Sequence, residues 1–273
     1  MKKYKRWIIG LSVVAGFLLV VVILMFTLFS VGPVEINFKN QTTIFAEKNT
    51  QEQVIDSAKL PYGTTIFALN KNKIKNNLES RNPYLKVVNI ETVFPNKIII
   101  HCAEREEVVI VETANDKYFI CDQDLKILEK VTALNQVQGS PIFLTGVNIL
   151  NNGAQIGEFL QFSEGENIIK SALGSLVANG KKIADCKGMF KKLELGFDTN
   201  YFTLKNEEVL TFTTYDNFEI KILNAEDKIN LKTNYMIISL PELAKSYSSK
   251  RLIIDINPQN AKEYKILLED INS

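Results

Sequence analysis

Residues 7–29 form a run of 23 positions without one charged side chain. As a helix at about 1.5 Å per residue the run reaches roughly 34 Å, enough to cross a hydrocarbon core of about 30 Å. A cleaved secretory leader has a shorter apolar stretch, of about 7–15 residues, and ends at a small-x-small site. The only nearby small pair here, Ser30 and Gly32, is followed by Pro33. The run therefore reads as an uncleaved transmembrane helix. Lys2, Lys3, Lys5 and Arg6 precede it, and the first acidic residue is Glu35. The positive-inside rule then makes residues 1–6 a cytoplasmic tail and puts residues 30–273 outside the membrane.

Those four cations hide the charge of the remainder. The whole chain has 32 basic and 31 acidic residues, whereas the part after residue 29 has 28 and 31. A slightly acidic extramembrane part argues against nucleic acid as a partner. Three cysteines and one histidine exclude a disulfide scaffold and confine histidine chemistry to one position.

Beyond the span, Val34-Glu35-Ile36-Asn37-Phe38 and Thr43-Ile44-Phe45 alternate as short strands do. Thr50-Gln51-Glu52-Gln53 fits a capping box, with Val54, Ile55 and Ala58 as the apolar face of a short helix broken by Pro61-Tyr62-Gly63. Asn70 is positioned to cap a second helix carrying Ile74 and Leu78, which Asn82-Pro83 ends. Two strands follow. In the first, Val88, Ile90 and Thr92 are expected on one face; in the second, Ile98, Ile100 and Cys102 lie opposite Ile99, His101 and Ala103. Strand, helix, helix, strand, strand predicts an α+β unit with both helices on one sheet face. Residues 107–223 read as mainly β, with turns at Asn115-Asp116, Asn151-Asn152-Gly153 and Asp216-Asn217 and helices near 167–177 and 226–239.

The segments Leu60-Pro61-Tyr62-Gly63-Thr64-Thr65-Ile66-Phe67-Ala68-Leu69, Asn82-Pro83-Tyr84, Phe94-Pro95-Asn96-x-Ile98-x-Ile100 and Glu104-Arg105 together resemble a POTRA domain, and specifically that of the FtsQ/DivIB cell-division family. Tyr118-Phe119-Ile120-Cys121-Asp122, Pro141-x3-Thr145-Gly146 and Leu252-Ile253-Ile254-Asp255-Ile256 resemble later landmarks of that family. Lys48-Asn49 and Leu125 depart from it where glycine is usual. The fold expected is an N-terminal transmembrane helix at 7–29, a POTRA-like βααββ domain at 34–106 and a mainly antiparallel β domain with a few helices at 107–256. Residues 257–273 are expected as a C-terminal tail or edge strand.

The resemblance implies a bitopic, non-enzymatic divisome scaffold at the bacterial septum. Such a scaffold binds FtsL-like and DivIC/FtsB-like single-pass proteins and helps control septal peptidoglycan synthesis. Other readings are a POTRA-bearing transport, secretion or envelope accessory, a sporulation paralogue, or a cell-wall enzyme with a cryptic site. No cofactor and no small-molecule substrate is expected. His101, Cys102, Cys121 and Cys186 nominally offer zinc ligands, but strand neighbours project to opposite faces and no C-x-x-C occurs. No G-x-S-x-G, P-loop or Rossmann glycine pattern is present. Glu104-Arg105-Glu106-Glu107 reads as a solvated hinge, with Glu104 and Arg105 structural, rather than a paired-carboxylate site.

The candidate partner-binding residues are Leu252, Ile254 and Ile256 in one β-like run and Tyr264, Ile266 and Leu268 in a second, joined by Asn257-Pro258-Gln259-Asn260. A terminal strand presents unpaired N–H and C=O groups on which an extended segment can add. Residues 262–271 also fit a helical pattern.

Overall fold

A computed structural model describes residues 2–39, 51–114, 117–137, 139–179, 187–200, 203–246, 250–256 and 264–270. The strand expected at 43–45, Thr50 of the capping box, the Asn115-Asp116 turn, Cys186 and the link at 257–260 lie outside the described residues. The chain divides into two compact units, Met1–Arg105 and Glu106–Ser273.

The first unit opens with α1 (Lys2–Leu28), whose stretch Gly10–Leu28 is long and apolar enough to cross a membrane and is not buried against protein. Then come β1 (Val34–Phe38), α2 (Gln51–Ser57), a 3-10 turn (Ile66–Ala68), α3 (Lys71–Arg81), β2 (Leu85–Val93) and β3 (Lys97–Glu104). The sheet order is β1-β3-β2, with β3 parallel to β1 and antiparallel to β2. Asn70 caps α3, its side-chain oxygen accepting from Lys73 N at 3.0 Å, and Asn82 closes the helix. Ile74 and Leu78 on α3, Val54 and Ala58 at α2, and Ile98, Ile100 and Cys102 on β3 are all buried.

One expected face is corrected. A register shift between Val87 and Asn89 places a bulge in β2, so Val87 and Ile90 are buried while Val88 is exposed. An extra residue in one strand inverts the alternation that follows it.

The second unit contains β4 (Val109–Glu112), β5 (Tyr118–Cys121), β6 (Ile127–Val131), β7 (Ile142–Thr145), α4 (Glu166–Asn179), β8 (Phe190–Thr199), β9 (Asn206–Thr214), β10 (Glu219–Ile222), α5 (Ile229–Ser246), β11 (Lys250–Ile256) and β12 (Tyr264–Asp270). They build one sheet in the order β12-β11-β10-β9-β8-β7-β4-β5-β6. Most neighbours are antiparallel, but β4–β7, β7–β8 and β10–β11 are parallel. The last two have a physical cause: α4 joins β7 to β8 and α5 joins β10 to β11, and parallel neighbours require such crossovers. The helices that the sequence presents as interludes are thus the connections that make the sheet mixed. Ile169, Leu173 and Leu176 of α4 and Met236, Ile237 and Leu240 of α5 share one core cluster with Leu252 and Ile254. Ile253, between them in sequence, belongs to a separate small cluster with Val209 and Leu223.

Candidate partner-binding edge

The sheet of the second unit has two ends. At one, Ile127 of β6 donates to Glu158 O and accepts from Gly157 N, both at 2.8 Å, so a loop pairs with the start of that strand. At the other lies β12, paired on one side with β11 and without a strand on its other side among the described residues. All six candidate residues meet in this ladder as cross-strand partners: Leu252 opposite Leu268, Ile254 opposite Ile266 and Ile256 opposite Tyr264. Leu252 and Ile254 are fully buried in the core, so β11 is the foundation of the edge and not a presented surface.

The foundation is pinned by charge. Arg251 grips Glu219, its cross-strand partner on β10, through Nε at 2.7 Å and Nη2 at 2.5 Å. Lys232 Nζ, fully buried on α5, donates to Leu223 O at 2.7 Å and Asn224 O at 2.8 Å and lies 3.0 Å from Asp255 Oδ1. Asn200 Nδ2 bonds Asp255 Oδ2 at 3.0 Å and Glu207 Oε2 at 2.7 Å. Asp255 therefore ties the C-terminal end of β11 to α5, to the segment after β10 and to the β8–β9 turn. Sequence reasoning did not single out Lys232 or Asn200. The legible signal was a lysine among Ile229, Thr233, Met236 and Leu240, on the apolar stripe of a helix.

Of the other sequence candidates, His101 and Cys102 belong to the first unit and Cys121 to the second. His101 is half-exposed on β3, its Nε2 3.4 Å from Glu91 Oε2, whereas the adjacent Cys102 is buried. Cys121 is buried in the second unit. Burial, assisted by the charge of Glu79, pushes the Cys102 thiol up to about 12, and burial followed by the charge of Asp122 pushes the Cys121 thiol well up. Both are held as thiols, not as the thiolates that bind metal or attack carbon. Among the described residues no group of three or more His, Cys, Asp and Glu side chains is placed to hold a metal ion.

Arg105 corrects the solvated-hinge reading. It is buried, its Nη2 3.2 Å from Glu79 Oε2 and its Nε donating to Leu85 O at 3.3 Å, while Glu79 Oε1 accepts from Val87 N at 2.8 Å. It is structural, as expected, but through a buried pair that ties α3 to β2. An open pocket of about 500 Å³ in the second unit is lined by Glu164, Glu166, Glu208 and Glu226 around the start of α4. Burial, then the charges of Glu226 and Glu164, holds the Glu208 carboxyl above its usual range.

Residues 46–105 match the family model of the POTRA domain, FtsQ-type. Among curated proteins the chain is similar to Cell division protein DivIB of Clostridium tetani, 34% identical over 116 residues, covering 37% of this chain and 43% of that protein. The same-named protein of Clostridium acetobutylicum is 34% identical over 103 residues, covering 37% and 39%. That of Clostridium botulinum strain Loch Maree is 28% identical over 187 residues, covering 68% and 65%. The FtsQ-type POTRA match and these DivIB relatives support the FtsQ/DivIB family for this chain. The matched stretch is less than half the length of the first two relatives. The POTRA match takes in α2, α3, β2 and β3, including the Glu79–Arg105 pair, and leaves out the second unit with its β11–β12 edge. In this DivIB-like chain Leu125, noted above as a departure from the resemblance, has φ +63° and is buried. Asp122 Oδ1 accepts from Asp124 N at 2.9 Å and Lys126 N at 2.8 Å, and this turn holds the left-handed residue in place.

Proposed function

We propose that the chain is a bitopic cell-division scaffold of the divisome. α1 crosses the membrane with its N-terminus in the cytoplasm, and residues 30–273 work outside. The protein carries out no catalytic step. It gathers single-pass FtsL-like and DivIC/FtsB-like proteins and so helps control septal peptidoglycan synthesis. The observation that carries this reading is β12, a terminal strand whose outer edge has no strand neighbour among the described residues. An extended partner segment would add there as a further strand, its backbone supplying affinity and its alternate side chains specificity. The buried Lys232–Asp255–Asn200 network supports the reading, because it fixes the strand to which β12 is bonded.

The test is capture of DivIC and FtsL from membranes by the full chain, by Ile266→Pro and by a chain truncated after Asn257. Proline removes a backbone donor and is not accommodated inside a paired ladder. Both variants are expected to lose capture. Wild-type capture by both would make the edge irrelevant and turn attention to α3. Orientation has its own check. A reporter active only outside the cytoplasm should work when fused after Ser273 and fail when fused before Lys2, and the reverse result would overturn the topology.

A further inference from the structure

Three rings from three separate segments meet at one end of the first unit. Phe29, the residue directly after α1, has its ring centroid 5.4 Å from Phe67 and 6.2 Å from Phe94, and those two lie 5.6 Å apart. Stacked together, they are still not covered: Phe67 is 56% exposed and Phe94 63%, and nearby in the same loop system Tyr62 is 62% exposed. Backbone bonds clamp the segments to one another. Ile66 N donates to Phe29 O and Val31 N to Thr64 O, both at 2.8 Å, and Gly32 N donates to Asn96 O at 2.9 Å. Gly32 makes this approach possible, since a Cβ there would lie 2.6 Å from Asn96 Nδ2.

The composition of these segments is a second, independent observation. Residues 29–34, 60–70 and 92–96 contain no charged side chain, in a chain that is 23% charged. At the far end of the β2–β3 hairpin stand Lys86, Glu104 and Arg105. A water-facing loop cluster is normally polar, and an exposed, charge-free aromatic patch marks an interaction surface. Its occupant is indicated by what it adjoins. The patch starts at the residue after Leu28, the last residue of a helix long and apolar enough to span a bilayer. Aromatic rings concentrate at the boundary between hydrocarbon and headgroups, where an apolar body is welcome. Backbone entering that zone must have its donors satisfied internally, as the bonds above provide.

We propose that Phe29, Phe67 and Phe94, with Tyr62, form a foot that seats the POTRA unit in the outer interface of the same bilayer that α1 crosses. The unit is then held against the lipid surface instead of swinging on a free tether, which limits where the rest of the chain can reach. This rests on the reading of α1 as a membrane span, and it is independent of the β12 edge.

The experiment uses the full chain reconstituted in phosphatidylcholine bilayers containing lipids brominated high on the acyl chains. Trp7 is the chain's single tryptophan and begins the apolar run. Its quenching in the wild-type chain reports that α1 is in the bilayer. In a Trp7→Phe background, Phe67→Trp, Phe94→Trp, Tyr62→Trp and Val88→Trp are compared. Val88 is similarly exposed, but it lies six residues from Phe94 along β2, roughly 20 Å away. Bromolipid quenching is expected to be several-fold stronger at positions 62, 67 and 94 than at 88, with acrylamide access in the opposite order. All exchanges are at exposed positions, and three independent sites report on the foot. Quenched Trp7 together with equal, water-like behaviour at all four positions overturns the foot and leaves the patch to a protein partner. Unquenched Trp7 overturns the span reading and the foot with it.

Discussion

Lys232 Nζ lies 3.0 Å from Asp255 Oδ1 with the lysine side chain wholly removed from water. Its three protons have three acceptors: this carboxylate and the carbonyls of Leu223 and Asn224. A buried ammonium is tolerable only when so satisfied, because its desolvation costs several kcal/mol. Lys232→Met leaves the buried Asp255 carboxylate without the lysine charge, though still bonded to Asn200, and is expected to cost about 3 kcal/mol. The pair Lys232→Met with Asp255→Leu should recover much of that loss. Urea unfolding of the detergent-solubilised chain, with amide exchange followed on β10 and β11, measures both. A single-variant loss below about 1 kcal/mol would mean that the pair is not closed to water.

Glu79 and Arg105 make the equivalent test in the first unit. Glu79→Ala removes the acceptor of Val87 N and a carboxylate partner of a buried guanidinium. The expected loss is on the order of 2–4 kcal/mol. It should appear as faster exchange across β2 and β3, with β8 and β9 unchanged. Uniform loosening of both units would contradict the assignment of the pair to one of them.

Gly146 has φ +73°, and a Cβ on it would lie 1.9 Å from Leu195 O on the neighbouring strand β8. Gly146→Ala therefore combines a left-handed penalty with a clash against backbone, and should destabilise by about 3 kcal/mol or more. Gly196, one residue past Leu195, has nothing within 4 Å of a Cβ. Gly196→Ala should change stability by less than about 1 kcal/mol. Thermal unfolding of the two variants side by side gives the answer, and similar midpoints would refute the steric account.

Much of the first unit could be read from local signals because those signals are local in space as well. Asn70, Ile74, Leu78 and Asn82 mark one helix within thirteen positions, and the structure uses each as its chemistry suggests. Val88 failed because Val87 and Val88 are both apolar, and only the pairing with β3 decides which one the bulge displaces. Arg105 reads as a solvated charge until Glu79, 26 residues earlier, is brought beside it. In the second unit periodicity found α4 and α5 but could not say that they return the chain to a parallel neighbour. Residues 262–271 fit a helical pattern and 263–268 a β-like one, and the structure has strand β12 over 264–270, paired with β11. The buried lysine and asparagine that hold β11 were not legible, since their partners lie in distant segments.

Glu208 is a carboxylate whose charge the fold disfavours, chiefly by burial and then by Glu226 and Glu164, and its Oε2 is buried with no hydrogen-bond partner among the described residues. A carboxyl raised in the folded state binds its proton more tightly there than in the unfolded chain. Stability is therefore lost as pH rises from the ordinary glutamate range through the raised value. Glu208→Gln should unfold at a higher temperature than wild type at neutral pH, with the difference shrinking toward pH 4. A constant difference across that range would assign the effect to something other than ionisation.

Cys102 gives the alkaline counterpart. An unfolded thiol ionises near about 8.5, whereas burial, with the Glu79 charge second, pushes Cys102 up to about 12. The folded chain keeps the proton between those values and the unfolded chain gives it up, so stability declines as pH climbs from the first toward the second. Iodoacetamide at about pH 8.5 should leave the peptides containing Cys102 and Cys121 unmodified in the folded chain and alkylate both in urea. Cys102→Ala should cost about 1 kcal/mol at neutral pH through the atoms removed, yet lose less than wild type between pH 9 and 11. Labelling of Cys102 in the folded chain at the rate of an exposed thiol would show that the β3 face beneath the helices is open to water.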